Sequence, residues 1–255
     1  MPSASERLAV TTSNDALSAA STPWDAPLVP RFPFDMRNVT ILTTFYRTSI
    51  EAVAAVLPAP LQPSSDLVAV HLYKMSDTDF FGPYEESAIQ VDVCLPGTDV
   101  RGAYSPYLFL NSDGAIAAGR EVYGQPKKFG SPSIAVKQDL IVGKIKRNGI
   151  AFLQVTTPYK QHRSDISEAR AIFDFITNIN YKVIPASTGG VAIREITARE
   201  LSDVTVHECW RAPGTVEIRP HAQAPVHRLP VIEMLDAFYW SCDFTLGPAR
   251  VVHSY

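Results

Sequence analysis

Apolar positions along the chain alternate far more often than they recur at helical spacing. Val39 to Tyr46 (V-T-I-L-T-T-F-Y) is β-branched and aromatic, and its composition predicts a strand. Leu67 to Met75, Ala88 to Leu95 and Tyr104 to Leu110 predict three more. Ile134 to Val155 alternates and is interrupted at Arg147-Asn148-Gly149, where Asn-Gly predicts a hairpin turn. Beyond Gly189-Gly190, segments 191–197, 203–209, 214–219 and 249–253 all have strand character. Helical spacing is confined to three places. One helix is expected after Thr48, with Thr48 and Glu51 as a capping box and Ile50, Val53, Ala54 and Leu57 on one face, ended by Pro58. A second is expected from Asp165, with Glu168 three residues on and Ile172, Phe175, Ile176 and Ile179 on one face. A third is expected over Ile232 to about Ser241.

Eight or more strands with about three helices and no regular βαβ alternation exclude a doubly wound or TIM fold. They predict an α+β, mainly β chain built on a large, mostly antiparallel sheet. A sheet of that size is expected to curl or close, and a closed barrel can hold one small ligand. Residues 1–22, rich in Ser, Thr, Ala and Asn, read as a mobile tail, and 23–255 as one domain.

Composition narrows the class. The 255 residues are 46% hydrophobic and 19% charged, enough to bury a substantial core. The net charge of −3 comes with no Lys/Arg-rich face, so a nucleic-acid partner is not expected. No apolar run approaches the ~20 residues of a membrane span, and no signal-peptide pattern opens the chain. Three scattered cysteines, Cys94, Cys209 and Cys242, suit neither a disulfide framework nor a thiolate metal site and fit a reducing cytosol. The six histidines are dispersed, so no metal site is expected.

The stretch with chemical promise is Ala117 to Gly130, A-A-G-R-E-V-Y-G-Q-P-K-K-F-G. Small residues lead into adjacent Arg120 and Glu121, expected to be a buried structural pair near the site. A loop with Gly at each end then presents Lys127 and Lys128 directly behind Pro126, whose fixed φ stiffens the backbone that aims them. A lysine that attacks a ketone must be neutral. At a reference pKa near ~10.4, about one molecule in 2,500 is neutral at pH 7, and bringing the pKa to about 6–7 requires roughly 5 kcal/mol of selective destabilisation of the ammonium. Desolvation and a neighbouring cation are the two sources available. In extended backbone the two lysines point to opposite faces, so Lys128 is expected to face out of any cavity and desolvation to dominate.

This segment resembles the acetoacetate decarboxylases and their superfamily, whose signature is G-R-E-x-x-G-x-P-K-K. Similar family segments occur in family order. They are Y-R-T at 46–48, P-A-P-L at 58–61, M-S-D-T at 75–78, G-P-Y-E-E-S at 82–87, Y-S-P-Y-L-F-L at 104–110 and L-P-V-I-E at 229–233. The resemblance implies that Lys127 forms a Schiff base and that Lys128 is the companion that tunes its pKa. A lysine activated beside a second cation is a device for which acetoacetate decarboxylase is itself the standard example. It further implies that Glu86 is the active-site carboxylate, that the fold is a cone-shaped barrel, and that the chain self-associates into a large homo-oligomer. No cofactor is implied, because the imine is the electron sink. Tyr84, Gln125, His71 and Arg37 are the candidate substrate-binding residues. His71 stands where the family has a second carboxylate, Gln125 where an aromatic is common, and Val39 where the family has a carboxylate-binding arginine, with Arg37 two residues away. His71 is a candidate general base or carboxylate ligand.

The expected activity is decarboxylation of a small β-keto acid through a lysine imine. The alternatives are aldolase-dehydratase or hydratase chemistry on a 2-oxo acid through the same imine, and a non-catalytic barrel that binds a small ligand.

Overall fold

The computed structural model describes residues 21–23, 25–29 and 31–255. The tail expected over 1–22 falls almost wholly outside these residues. Strand alternation dominates as the sequence predicts. The larger sheet contains β1 (Phe34–Arg47), β2 (Gln62–Met75), β4 (Tyr84–Cys94), β5 (Arg101–Leu110), β11 (Thr177–Pro185), β12 (Val191–Pro213) and β14 (Glu233–Leu246). Their order is β12-β11-β5-β4-β2-β1-β14, and β14 pairs back onto β12, so seven strands close into a ring. Short strands β3 (Asp77–Thr78), β6 (Lys127–Phe129), β10 (His162–Arg163) and β15 (Arg250–Ser254) pair along its members. All pairings are antiparallel except β5 with β11 and with β6. Strands β7 (Ser131–Lys137), β8 (Leu140–Arg147), β9 (Ile150–Pro158) and β13 (Thr215–Ile218) form a second, four-stranded sheet.

Alternation decides which core each side chain joins. Leu42, Leu72, Ile89 and Phe109 pack with Ile141, Ile145 and Phe152 of the second sheet. Their neighbours Ile41, Ala88 and Leu108 join Met36, Phe175, Phe238 and Trp240 in the other cluster. The site is built on this second face. Asn148 and Gly149 both have positive φ (52° and 78°), as the β8–β9 hairpin expected at Asn-Gly requires.

Three expectations are corrected. The helix expected over Ile232 to Ser241 is strand β14, the strand that closes the ring. The spacing of residues 232–241 imitates a helix, but Phe238, Trp240, Cys242, Phe244 and Leu246 are buried at alternate positions, and cross-strand packing between β1 and β12 overrides local spacing. The helix expected after Thr48 is shorter and starts one residue later. It is α1 (Ile50–Ala54), and the Ser49 side chain caps it by accepting from the Ala52 amide. In the second helix, the Asp165–Glu168 capping box forms as expected on α3 (Ile166–Ile172), but the helix ends there: Phe175 and Ile176 lie beyond it and Ile179 belongs to β11. A further helix, α2 (Asp113–Ala118), was not anticipated. It runs into a wide π-type turn over Gly119–Tyr123. Its Ala- and Gly-rich sequence carries no amphipathic stripe that could announce it. Among the described residues no helix is long and apolar enough to cross a membrane.

If β14 closes the ring through its alternate side chains, Phe238→Ala, at a fully buried position packed against Phe45, should cost about 3–5 kcal/mol in urea unfolding. A loss below about 1 kcal/mol would contradict that role.

Candidate active site

The backbone around the lysines is fixed by a chain of local bonds. The Gln125 amide donates to the Gly119 carbonyl (2.9 Å), and the Lys127 amide donates back to the Gln125 carbonyl across Pro126 (2.8 Å). Gly124 closes the π-type turn at φ 83°, and its Cα lies so close to the Lys182 backbone that a Cβ would meet it at 2.4 Å, so only glycine fits. Tyr123 ties the turn to the sheet: its hydroxyl donates to the Gly247 carbonyl (2.8 Å), and its carbonyl accepts from Thr197 Oγ1 (2.6 Å). The chain then enters β6, parallel to β5, with Lys127 beside Leu108 and Lys128 beside Phe109. Because Leu108 faces the inner cluster and Phe109 the outer one, the two lysines part to opposite faces.

Lys127 is 7% exposed and enters a chamber lined by both apolar and polar side chains. Its Nζ donates to Glu86 Oε2 at 3.0 Å. Glu86, also 7% exposed, reaches over from β4, on the far side of β5. Tyr73 lies directly across the strand pair from Glu86, and Tyr84 is two residues before it on the same face. Burial, helped by the Glu86 charge, holds both phenols above their ordinary pKa. Arg199 comes from β12, opposite Asn178 of β11. The rest of the lining is largely apolar and includes Met36, Ile41, Phe175 and Trp240. Centres of water-sized spheres fit in about 60 Å³ of the chamber, so it is an open cavity rather than a filled core.

Desolvation is the largest influence on Lys127 and lowers its pKa. The Glu86 carboxylate opposes it by attraction and hydrogen bonding, and the Arg199 guanidinium adds to the lowering. Desolvation therefore dominates, as the sequence suggested, and the nearby cation that assists is Arg199. Lys128 points away, where its Nζ donates to the carbonyl (3.2 Å) and Oε1 (3.4 Å) of Gln223.

The other candidates divide. Tyr84 and Gln125 are buried and line the chamber. Arg37 does not: it lies outside, clasped by Asp77 (2.8 Å) and Asp79 (2.6 Å), while Val39 is fully buried among apolar groups. His71 is fully buried and does not line the chamber. Its Nδ1 bonds Thr43 Oγ1 (2.9 Å), which also accepts from Trp240 Nε1 (3.0 Å), and its ring meets Phe175 edge-on. Burial pushes its pKa down to about 3. It is thus a neutral structural group rather than a base or carboxylate ligand. The buried Arg120–Glu121 pair is also corrected. Both residues are exposed and they do not bond each other; Arg120 Nη1 instead donates to the Lys127 carbonyl (3.2 Å). Arg199, Asn178, Gln90 and Trp240 are lining residues that sequence reasoning missed. The available signal was an arginine and two amides at positions that should face inward on a strand, but using it requires the register.

A sequence model described as "Acetoacetate decarboxylase (ADC)" matches residues 17–255. The chain belongs to the acetoacetate decarboxylase family. It is accordingly a carbon–carbon lyase of the carboxy-lyase class. It is 36% identical over 239 residues to acetoacetate decarboxylase from Chromobacterium violaceum, covering 93% of this chain and 95% of that protein. It is 34% identical over 244 residues to the enzyme from Clostridium acetobutylicum, covering 95% and 98%. A solved structure of an acetoacetate decarboxylase superposes with a TM-score of 0.87 at 33% identity, covering 96% of this chain and 99% of that one. The structure from Legionella pneumophila superposes at 0.85 with 27% identity, covering 96% and 98%.

Gly119 of the family signature has a visible purpose. A Cβ there would lie 2.4 Å from Lys127 Cδ and 2.6 Å from Cε, so the missing side chain is the space in which the lysine stem runs. Alanine is a better helix former by about 1 kcal/mol, yet Gly119→Ala should displace the amine and lower kcat/KM about 10²-fold. Unchanged kinetics would show that the stem does not need that space.

Proposed function

We propose that the protein decarboxylates a short β-keto acid of the acetoacetate type through an imine on Lys127. The observation that carries this reading is the buried Lys127 amine, desolvated in a small chamber with a single carboxylate, Glu86, at 3.0 Å. The reaction follows from that arrangement. Glu86 is placed to take the proton of the ammonium. The neutral amine adds to the ketone carbon, and the ketone oxygen leaves as water, giving a protonated imine. The bond between the α-carbon and the carboxylate then breaks, its electron pair moves toward the iminium nitrogen, and CO2 departs to leave an enamine. Protonation of the enamine carbon, for which Glu86 is the group in reach, and attack of water on the resulting iminium release the ketone and the free lysine. The iminium is the electron sink, so the scheme requires neither metal nor organic cofactor.

An apolar chamber helps the central step. Charge is dispersed as the carboxylate becomes neutral CO2, and a dry site disfavours the localised anion more than the transition state. A chamber walled by Met36, Ile41, Phe175 and Trp240 suits a small substrate. The three free cysteines support a cytosolic location, and self-association into a homo-oligomer, as the sequence resemblance implies, is part of the same reading.

Borohydride added during turnover should fix a substrate-derived mass on Lys127, and Lys127→Ala should abolish both labelling and CO2 release. Glu86→Gln should lower kcat by about 10²–10⁴-fold. The same change removes the charge that favours the ammonium, so the acidic limb of acetone trapping at Lys127 should move to lower pH. Recovery of unlabelled Lys127 from an enzyme that is releasing CO2 would exclude the imine route.

A further inference from the structure

We propose that Arg199 is the residue that holds the substrate's carboxylate, and that it selects monocarboxylic keto acids. Arg199 is 7% exposed and lines the chamber beside Lys127, Glu86 and Tyr84. A guanidinium so deep in a protein is ordinarily matched by a carboxylate. Among the described residues Arg199 has no such match. Its Nε is buried without a hydrogen-bond partner, and its guanidinium carbon lies over the face of Tyr123, 5.0 Å from the ring centre. The one carboxylate that lines the chamber among the described residues, that of Glu86, is engaged by Lys127. A planar, always-charged fork with open donors in a dry cavity is an incomplete ion pair, and a small organic anion completes it.

Among the described residues no other arginine lines the chamber. Arg37 is spent on Asp77 and Asp79 outside it, and Val39 presents a buried isopropyl group where the family's arginine is expected. Lys127 lies over β5, with Glu86 on the β4 side and Arg199 on the other, beyond β11. A carboxylate on Arg199 and a carbonyl at Lys127 Nζ thus define the two ends of one short ligand. Apart from three neutral amides, Gln90, Gln125 and Asn178, the rest of the lining is Tyr, Phe, Trp, Met and aliphatic, with a single guanidinium among the described residues. A second carboxylate on the ligand would be buried with neutral amide donors at best and no second cation, which disfavours keto diacids.

The proposal rests on the imine reading only for the carbonyl end, and two measurements keep the ends apart. Acetate, a carboxylate with no ketone, is titrated calorimetrically into the wild-type protein and into Arg199→Met and Arg199→Lys. Acetone, a ketone with no carboxylate, is trapped on Lys127 by borohydride in all three. Acetate affinity should fall about 10- to 100-fold in Arg199→Met and less in Arg199→Lys, while acetone trapping survives at high pH in each. In turnover, Arg199→Met should raise KM for the β-keto monoacid by a similar factor, with a smaller effect on kcat. Equal acetate affinity in wild type and Arg199→Met, including none detectable in either, overturns the assignment. Loss of acetone trapping along with acetate binding in both variants also overturns it, since that pattern marks a purely structural arginine. Failure of acetone to label the wild-type protein counts against the imine alone, and the acetate titration still decides Arg199.

Discussion

The Lys127 amine sits under two opposing forces. Burial strips the water that stabilises an ammonium, and that loss pushes the proton off. The Glu86 carboxylate at 3.0 Å pulls it back. The proposed reaction needs both forces: a lysine only desolvated has no acceptor for its proton, and one only ion-paired stays a poor nucleophile. The Arg199 guanidinium adds a smaller push in the same direction as burial.

The architecture follows from keeping that contest dry. A flat sheet with one solvated face cannot hide a polar cluster, whereas a ring of seven strands turns every second residue inward and leaves no open edge among them. Glu86, Tyr84, Tyr73, Leu108, Asn178, Arg199 and Trp240 come from six different strands and meet only because the ring closes. The second sheet covers the opposite face through Leu42, Leu72 and Phe109 and so fixes the register on which the inner face depends. The lysine itself comes from a short strand attached to β5, delivered by a tight turn in which Gly119 makes room for the side chain and Gly124 makes room for the backbone.

Much of this was legible before the structure. The strand-rich pattern, the Asn-Gly hairpin, the Asp165 cap, the parting of Lys127 from Lys128 and the dominance of desolvation follow from local rules of alternation, turn chemistry and charge burial. What was not legible depends on long-range register. Residues 232–241 read as a helix because their spacing fits one, and only the pairing of β14 with both β1 and β12 shows otherwise. Arg199 could not be distinguished from a surface arginine without knowing which face of a 23-residue, twice-bulged strand turns inward. His71 reads as chemistry in sequence, yet its neighbours Thr43, Tyr73 and Phe175 make it a packed, neutral core group. Arg37 was favoured by its nearness in sequence to position 39, but the bulge between Met36 and Val39 carries it out to Asp77 and Asp79.

The most direct test is the pKa of Lys127 in the unliganded protein, read from the pH dependence of its acylation by a small neutral ester, with peptide mapping to confirm the site. A value well below the free-lysine figure of about 10.4, rising when Arg199 is made neutral, is what a desolvated, cation-flanked amine must show. A value at or above the free-lysine figure would mean that the Glu86 ion pair outweighs burial, and the amine would then be a structural ion rather than the nucleophile.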